Sequence, residues 1–166
     1  MNDFKTDLEY SLEASDLDMF DNFYKRIFGK SLLKVEIVTD RVLQFRGVDK
    51  ILHFASGKTL MIDEKKRRKD YGDILLEIWS NTETKTRGWV YKPFTDYICY
   101  AIMPANKCYL LPSVLLKLWV KENFAQFDTF FRKVEAKNEG YVTTSYAIPT
   151  DILLEGLKQT MQKNFT

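Results

Sequence analysis

Apolar residues near the amino terminus recur every three or four positions, which is the spacing of an amphipathic helix. This pattern predicts a helix from about Ser15 to Phe28. Ser15 and Asp16 are typical N-terminal caps, and Gly29 stands where a helix of this length usually ends.

The central part of the chain consists of short apolar runs rich in β-branched and aromatic residues, which is typical of strands. The glycine-containing turn at 56–57 separates two of these runs. The predicted strands cover Leu33–Val38, Val42–Arg46, Lys50–Phe54, Thr59–Lys65 and residues 73–80 and 95–103.

Helical and extended patterns alternate in the remaining part, after a short apolar segment at 108–111. A helix is predicted over 112–124, since the proline at its start needs no hydrogen-bond partner for its nitrogen. Residues 128–134 fit either a helical turn or a strand. A strand over 141–148 and a last helix over 149–161 complete a mixed pattern, which predicts an α/β layered architecture.

The chain has 166 residues, a length that predicts a single domain covering residues 1–166. Its content of 45% apolar and 29% charged residues is that of an ordinary globular protein. The net charge of +2 does not by itself indicate a nucleic-acid-binding protein.

The chain carries no pattern typical of export or of a membrane protein. Residues 1–7 lack an apolar signal core, and no apolar run approaches about 18 residues, so we expect a cytoplasmic protein without membrane contact. Cys99 and Cys108 lack a CxxC spacing, which predicts free thiols in a reducing compartment. Two cysteines and one histidine do not complete a four-ligand zinc site.

Two carboxylates and a lysine are expected to meet in the strand-rich centre. Asp49 is expected at the end of one strand, and Asp63 and Lys65 at the end of the next. Residues two apart on a strand share a face, roughly 6.6 Å from each other. Asp63 and Lys65 therefore lie on one face and Glu64 on the other.

This arrangement suits divalent-metal chemistry on a phosphodiester. Mg²⁺ prefers one or two carboxylates together with water and substrate oxygens. We therefore predict a Mg²⁺ or Mn²⁺ site at Asp49 and Asp63, where metal-activated water attacks the phosphodiester. Lys65 then orients the attacking water or stabilises the charge that develops on the phosphate.

A second register satisfies the same acid-x-lysine pattern. Slipping by one residue makes Glu64 the metal ligand and Lys66 the lysine. A carboxylate followed two positions later by lysine is common by chance. The upstream acid across a turn strengthens the motif. We favour the pair Asp63 and Lys65, with Glu64 and Lys66 as the alternative, and both registers stay open.

Several motifs follow one another along the chain in a familiar order: Gln44, Gly47-Val48-Asp49, Ile62-Asp63-Glu64-Lys65, Leu76-Glu77-Ile78, Gly88-Trp89 and Thr95-Asp96-Tyr97. From about residue 16 to 103 this order resembles the PD-(D/E)XK nuclease superfamily. It is most similar to a branch of small uncharacterised proteins from bacteriophages and mobile elements. Two positions depart from the commonest form: Val48 replaces the proline, and Glu64 is charged where many members are apolar.

The resemblance implies a restriction-endonuclease-like fold, in which a mixed central β-sheet is flanked by α-helices. It also implies Mg²⁺-dependent cleavage of DNA in a host cytoplasm, with Asp49 and Asp63 as metal ligands and Lys65 as the catalytic lysine. Gln44 is then expected to line the site from a strand, with an ordinary hydrogen-bonded amide on the sheet surface as the alternative. A homodimer is compatible with this activity, because cutting both strands requires two active sites.

The nuclease hypothesis also predicts roles for further charged residues. Glu77 interrupts an apolar strand, where a charge is costly unless it is paired or lies in a cleft. It is predicted to be a third metal-associated carboxylate, with a salt-bridged acid at a strand edge as the alternative. Lys66, Arg67, Arg68 and Lys69 form a basic run that is predicted to contact the DNA backbone; an ordinary solvated surface is the alternative.

The sequence hypothesis is thus a Mg²⁺-dependent DNA endonuclease. The main alternative is a catalytically silent module with the same fold that binds nucleic acid or a protein. An RNA-directed nuclease is a third interpretation, and no residue pattern specifies the substrate sequence or form.

Overall fold

The computed structural model describes residues 14–92 and 94–165. The segment at 1–7, on which the expectation of an absent signal core rests, lies outside the described residues. The described residues form two compact units. The first unit comprises residues 14–70 and 94–111, and the second comprises residues 71–92 and 112–165.

Helices and strands occur in both units, which confirms the predicted α/β class. The helices are α1 (Ala14–Phe28), α2 (Arg41–Phe45), α3 (Ser113–Asn123), α4 (Phe127–Phe130) and α5 (Thr150–Phe165). The strands are β1 (Leu32–Ile37), β2 (Lys50–Phe54), β3 (Thr59–Arg67), β4 (Asp73–Asn81), β5 (Thr86–Arg87), β6 (Tyr97–Ile102), β7 (Lys107–Pro112), β8 (Arg132–Asn138) and β9 (Tyr141–Pro149).

The first unit contains a five-stranded sheet with the order β1-β2-β3-β6-β7. β2 is antiparallel to both β1 and β3, whereas β3 and β6 run parallel, so this sheet is mixed. The pairing of β2 with β3 sets Lys50 opposite Ile62, and that of β3 with β6 sets Asp63 opposite Ile98. The described strands thus divide between this sheet and a second one, where the resemblance implies a single central sheet.

α1 packs against one face of the five-stranded sheet. Its aromatic residues Phe20 and Tyr24 are fully buried against Leu52 on β2 and Ile62 on β3. Because side chains alternate along a strand, Asp63 lies on the opposite face of the sheet from α1. The packing of α1 on one face of the sheet therefore places the candidate acid Asp63 on the other face.

The second unit contains a four-stranded antiparallel sheet with the order β5-β4-β9-β8. Its core includes an aromatic cluster in which Phe127 lies 5.5 Å from Trp119 and 5.3 Å from Tyr146 between ring centroids. Such tilted and edge-on ring pairs stabilise a core beyond their buried area.

One predicted strand was wrong: residues 42–46 fall mostly in helix α2. The side chain of Asp40 explains the helix, because its Oδ1 accepts hydrogen bonds from the backbone N–H groups of Val42 and Leu43 at 2.8 and 2.9 Å. This N-terminal cap satisfies donors that a short helix otherwise leaves unpaired. The ambiguous segment at 128–134 contains both alternatives, since α4 ends at Phe130 and β8 begins at Arg132.

The last helix, α5, extends to Phe165, a turn beyond its predicted end at about Met161. Leu153, Leu157 and Thr160 are buried at helical spacing. Glycine at position 156 allows the close approach of Trp119 on α3, because a Cβ there would lie 2.2 Å from the indole Nε1. Among the described residues, no helix is both long and apolar enough to cross a membrane.

We predict that Gly156→Ala destabilises the second unit, although alanine favours helix by up to about 1 kcal/mol. Trp119 is held among aromatic rings and cannot move away cheaply, so overpacking outweighs this gain, with a net loss of about 1–2 kcal/mol. Urea denaturation measures the loss. Lys158→Ala, an exposed change on the same helix, is the control, and a stability of Gly156→Ala at or above that control contradicts the close contact.

Candidate functional site

Asp49 is positioned by a tight connection between α2 and β2. Gly47 adopts a φ of +90°, in the left-handed region that favours glycine, and its carbonyl oxygen accepts a hydrogen bond from buried Thr95 Oγ1 at 3.1 Å. The backbone N–H of Asp49 then donates to the carbonyl oxygen of Ile62 at 2.8 Å. Asp49 therefore immediately precedes β2, and its predicted place at the end of a strand was wrong.

Gln44 lies on helix α2, so its predicted position on a strand was also wrong. Its side-chain Nε2 donates a hydrogen bond to the carbonyl oxygen of Val38 at 2.8 Å. This hydrogen bond connects α2 to Val38, the residue that follows β1. The role of Gln44 in lining the site stays a prediction.

Asp63 is a buried carboxylate on β3, with only 1% of its surface exposed. Its Oδ1 forms an ion pair with Lys65 Nζ. Its Oδ2 is buried and has no hydrogen-bond partner among the described residues. Burial raises the pKa of Asp63 to about 7, an effect that Lys65 opposes and that the neighbouring carboxylate of Asp49 reinforces.

Glu64 occupies the other face of β3, as the alternation predicts. Its Oε1 accepts a hydrogen bond from the Tyr24 hydroxyl at 2.8 Å and lies 3.3 Å from Lys50 Nζ. Burial raises the pKa of this carboxyl, and Lys50 partly offsets that rise. The backbone N–H of Glu64 donates a hydrogen bond to Asp49 Oδ2 at 2.8 Å. The side chain of Glu64 thus joins a structural network on the α1 side.

Lys50 is a residue of this network that the sequence prediction missed. It is buried, with 2% of its surface exposed, and its Nζ also contacts Asp21 Oδ1 on α1. A buried ammonium is costly without such partners. A signal existed, because Lys50 and Leu52 share a face of β2, but a lysine at the start of a strand usually points to solvent.

The structure therefore brings Asp49, Asp63 and Lys65 together on one face of the sheet. Glu64, the acid of the rival register, has its carboxylate bound to Tyr24 and Lys50 on the opposite face. This geometry favours the register of Asp63 and Lys65.

The basic run continues from the same strand. Lys66 and Arg67 are half-buried at the end of β3, and Arg68 and Lys69 follow as exposed residues. Arg67 Nη1 lies 3.5 Å from the Tyr100 hydroxyl on β6. The predicted contact of these four residues with DNA stays a prediction.

Glu77 belongs to the second unit, on β4. Its Oε1 accepts a hydrogen bond from the backbone N–H of Trp89 at 3.1 Å, beside a bulge in the pairing of β4 with β9. This hydrogen bond gives the half-buried carboxylate a partner within its own unit. Its role as a third metal-associated acid stays a prediction.

The residues of the first unit fit a two-carboxylate cation site. Across residues 14–92 and 94–165, no cluster of three or more metal-ligating side chains is present. Asp49 and Asp63 alone supply the number of carboxylates that Mg²⁺ commonly takes from a protein. The unpartnered, buried Oδ2 of Asp63 is the kind of oxygen that a bound cation satisfies.

Comparisons with protein-family models, with curated proteins and with solved structures find no match to this chain. The functional interpretation therefore depends on the chemistry of its own residues. Its centre is the group formed by Asp49, Asp63 and Lys65.

We predict a pH dependence of stability to which Asp63 contributes. Its folded pKa of about 7 lies above the ordinary 3.8, so the folded protein holds this proton more tightly than the unfolded chain. The free energy of unfolding should therefore fall as the pH rises from about 4 to about 7, by at most about 1.4 kcal/mol per unit, and level off above.

Urea denaturation in metal-free buffer across this pH range measures the effect. Asp63→Asn should flatten the slope but not abolish it, because Glu64 contributes in the same direction. Asp151→Asn, at an exposed acid of α5, is the control and should keep the full slope. Equal slopes in the wild type and Asp63→Asn contradict the raised pKa.

Proposed function

We propose that this protein is a Mg²⁺-dependent DNA endonuclease of the PD-(D/E)XK type, acting through Asp49, Asp63 and Lys65. The observation that carries the proposal is the buried Oδ2 of Asp63, which has no hydrogen-bond partner in the described part of the chain and lies next to a second carboxylate. A carboxylate held in this way is costly for stability and suited to binding a cation.

Asp49 and Asp63 would hold the cation. Once bound, a divalent ion polarises a phosphate oxygen and lowers the pKa of a water molecule. Asp63 must lose its proton to serve as a ligand, so cation binding is expected to release a proton near neutral pH.

Lys65 supplies the positive charge on the same face. Its ammonium is paired with Asp63 Oδ1, and 29% of its side chain is exposed, so it is accessible to a phosphate at the surface. A fixed ammonium donates hydrogen bonds to a phosphate oxygen and stabilises the negative charge that develops there during cleavage. It also orients the attacking water.

The choice of a polyanionic substrate is supported by the basic run that follows Lys65 on the same chain segment. Arg68 and Lys69 are exposed at its end, and exposed basic side chains are the usual contacts of a phosphate backbone. The choice of DNA, a restriction-endonuclease-like fold, a homodimer and a cytoplasmic location rest on the sequence resemblance and composition. The mixed sheet of the first unit, with α1 on one face, is compatible with that fold.

We predict that the purified chain cuts plasmid or oligonucleotide DNA with Mg²⁺ or Mn²⁺, and that EDTA stops the reaction. Asp63→Asn should abolish cutting because it removes a cation ligand. Lys65→Ala should lower the rate by at least about a hundredfold, since it removes a donor to the developing charge. Gel assays of DNA and RNA substrates side by side measure both effects.

Lys58→Ala is the matched control, because Lys58 is an exposed lysine at the turn between β2 and β3. It should cut at the wild-type rate. DNA binding by the wild type without cleavage in any metal, and equal binding by Asp63→Asn, would instead identify a binding module. Cleavage of RNA alone would overturn the choice of DNA.

We predict that Mn²⁺ stabilises the folded protein through Asp63 and Asp49. At about 100 times its dissociation constant, a ligand of the folded state raises the free energy of unfolding by about 2.7 kcal/mol. Thermal unfolding with Mn²⁺ and with EDTA measures the shift. Asp63→Asn should lose it, and Glu64→Gln should keep it. The reverse result would assign the site to the register of Glu64 and Lys66.

A further inference from the structure

Cys108 and Cys99 lie together in the first unit, away from the face that carries Asp63. β6 and β7, which carry them, are neighbours in the five-stranded sheet. Cys99 is fully buried in the cluster beneath α1, and the half-buried Cys108 packs against that same cluster. The two thiols also interact with each other directly. Residues that face each other on neighbouring strands have the Cα spacing that a disulfide requires, about 4.4–6.8 Å.

Cys108 also lines a surface cavity of about 220 Å³. The other lining residues are Met19, Asn22, Phe23, Arg26 and Asn106. A volume of this size admits a small oxidant, since one water molecule takes up about 30 Å³ in the liquid. Cys108 is therefore open to a reagent that does not reach Cys99.

The pKa values of the two thiols are also shifted in opposite directions. The neighbouring Cys99 thiol and the positive charge of Arg26 lower the pKa of Cys108, against the effect of burial. The contact with Cys108 and burial raise the pKa of Cys99. Cys108 is the better placed nucleophile, because it faces the cavity beside Arg26, whose positive charge favours the reactive thiolate, and Cys99 is a buried partner next to it.

We propose that Cys108 and Cys99 are a peroxide-sensitive thiol pair, in which Cys108 is oxidised first and Cys99 resolves it to an intramolecular disulfide. In the first step, the Cys108 thiolate attacks a peroxide oxygen, the O–O bond breaks, and a sulfenic acid and hydroxide form. In the second step, the Cys99 sulfur attacks the Cys108 sulfur, the S–O bond breaks, and water leaves with the Cys99 proton. Two thiols and one hydrogen peroxide thus give one disulfide and two water molecules.

The pair has a structural connection to the network on the α1 side. Cys99 is the cross-strand neighbour of Glu64 in the parallel pairing of β6 with β3. A disulfide at Cys99 therefore ties the edge strand β7 to the strand next to β3. Oxidation of the two thiols does not depend on nuclease activity.

The test treats the reduced 166-residue chain with hydrogen peroxide near pH 7 and follows it by intact mass and thiol titration. Both thiols should disappear together, the monomer mass should fall by about 2 Da through loss of two hydrogens, and dithiothreitol should restore both thiols. Retention of both thiols under conditions that oxidise free cysteine overturns the proposal. Intermolecular dimers in place of the intramolecular bond overturn it as well.

Single variants separate the two roles. Cys99→Ala should trap the Cys108 sulfenic acid, which dimedone labels, and Cys108→Ser should slow the loss of the Cys99 thiol at least about tenfold, because the buried thiol is protected. Circular dichroism checks that each reduced variant is folded. If the Cys99 variant is unfolded, dimedone trapping in the wild type during the first seconds identifies the attacked sulfur. Labelling at Cys99 rather than Cys108 contradicts the assignment.

Discussion

The antiparallel pairing of β2 with β3 determines which ionisable groups meet in the first unit. It sets Lys50 opposite Ile62, and the alternation of side chains then sorts the charged residues by face. Asp63 and Lys65 lie on one face, whereas Lys50 and Glu64 lie on the face covered by α1. A slip of one residue would exchange these sets, so the burial of Ile62 beneath α1 also fixes the position of the acids.

Buried carboxylates have different partners on the two faces of the five-stranded sheet. On the α1 side, Glu64 is bonded to Tyr24 and Lys50, which is the arrangement expected of a structural ion pair. On the other side, Asp63 keeps one oxygen without a partner in the described residues, and burial outweighs Lys65 in setting its pKa. A buried polar atom left unpaired costs about 1–3 kcal/mol. Such a cost is characteristic of sites kept for binding or chemistry rather than for stability.

Apolar patterning predicted most of the long elements: helical periodicity predicted α1, and short apolar runs predicted β2, β3 and β9. It failed at residues 42–46, where a short apolar run looks extended and only the cap from Asp40 shows that it is helical. It also left the register of the candidate site open, because the adjacent acids Asp63 and Glu64 differ only in the face they occupy. That choice depends on the partner strand and on α1, which a local pattern does not contain.

The contacts of Lys50 are likewise absent from any local sequence pattern. Neither Tyr24 nor Asp21 is near Lys50 in sequence, and their contacts arise only when α1 packs on the sheet. The pairing of Cys99 with Cys108 is likewise a property of the sheet, since nothing in their spacing resembles a known thiol motif.

The parallel pairing of β3 with β6 has a consequence for biosynthesis. Residues 71–92 of the other unit are made between these two strands, so β3 gains its neighbour only after a long excursion of the chain. Closing such a loop is entropically costly and slows folding. A nascent chain on the ribosome therefore exposes the edge of β3 until residue 102 has emerged, and an unpaired strand edge is prone to aggregation during that interval.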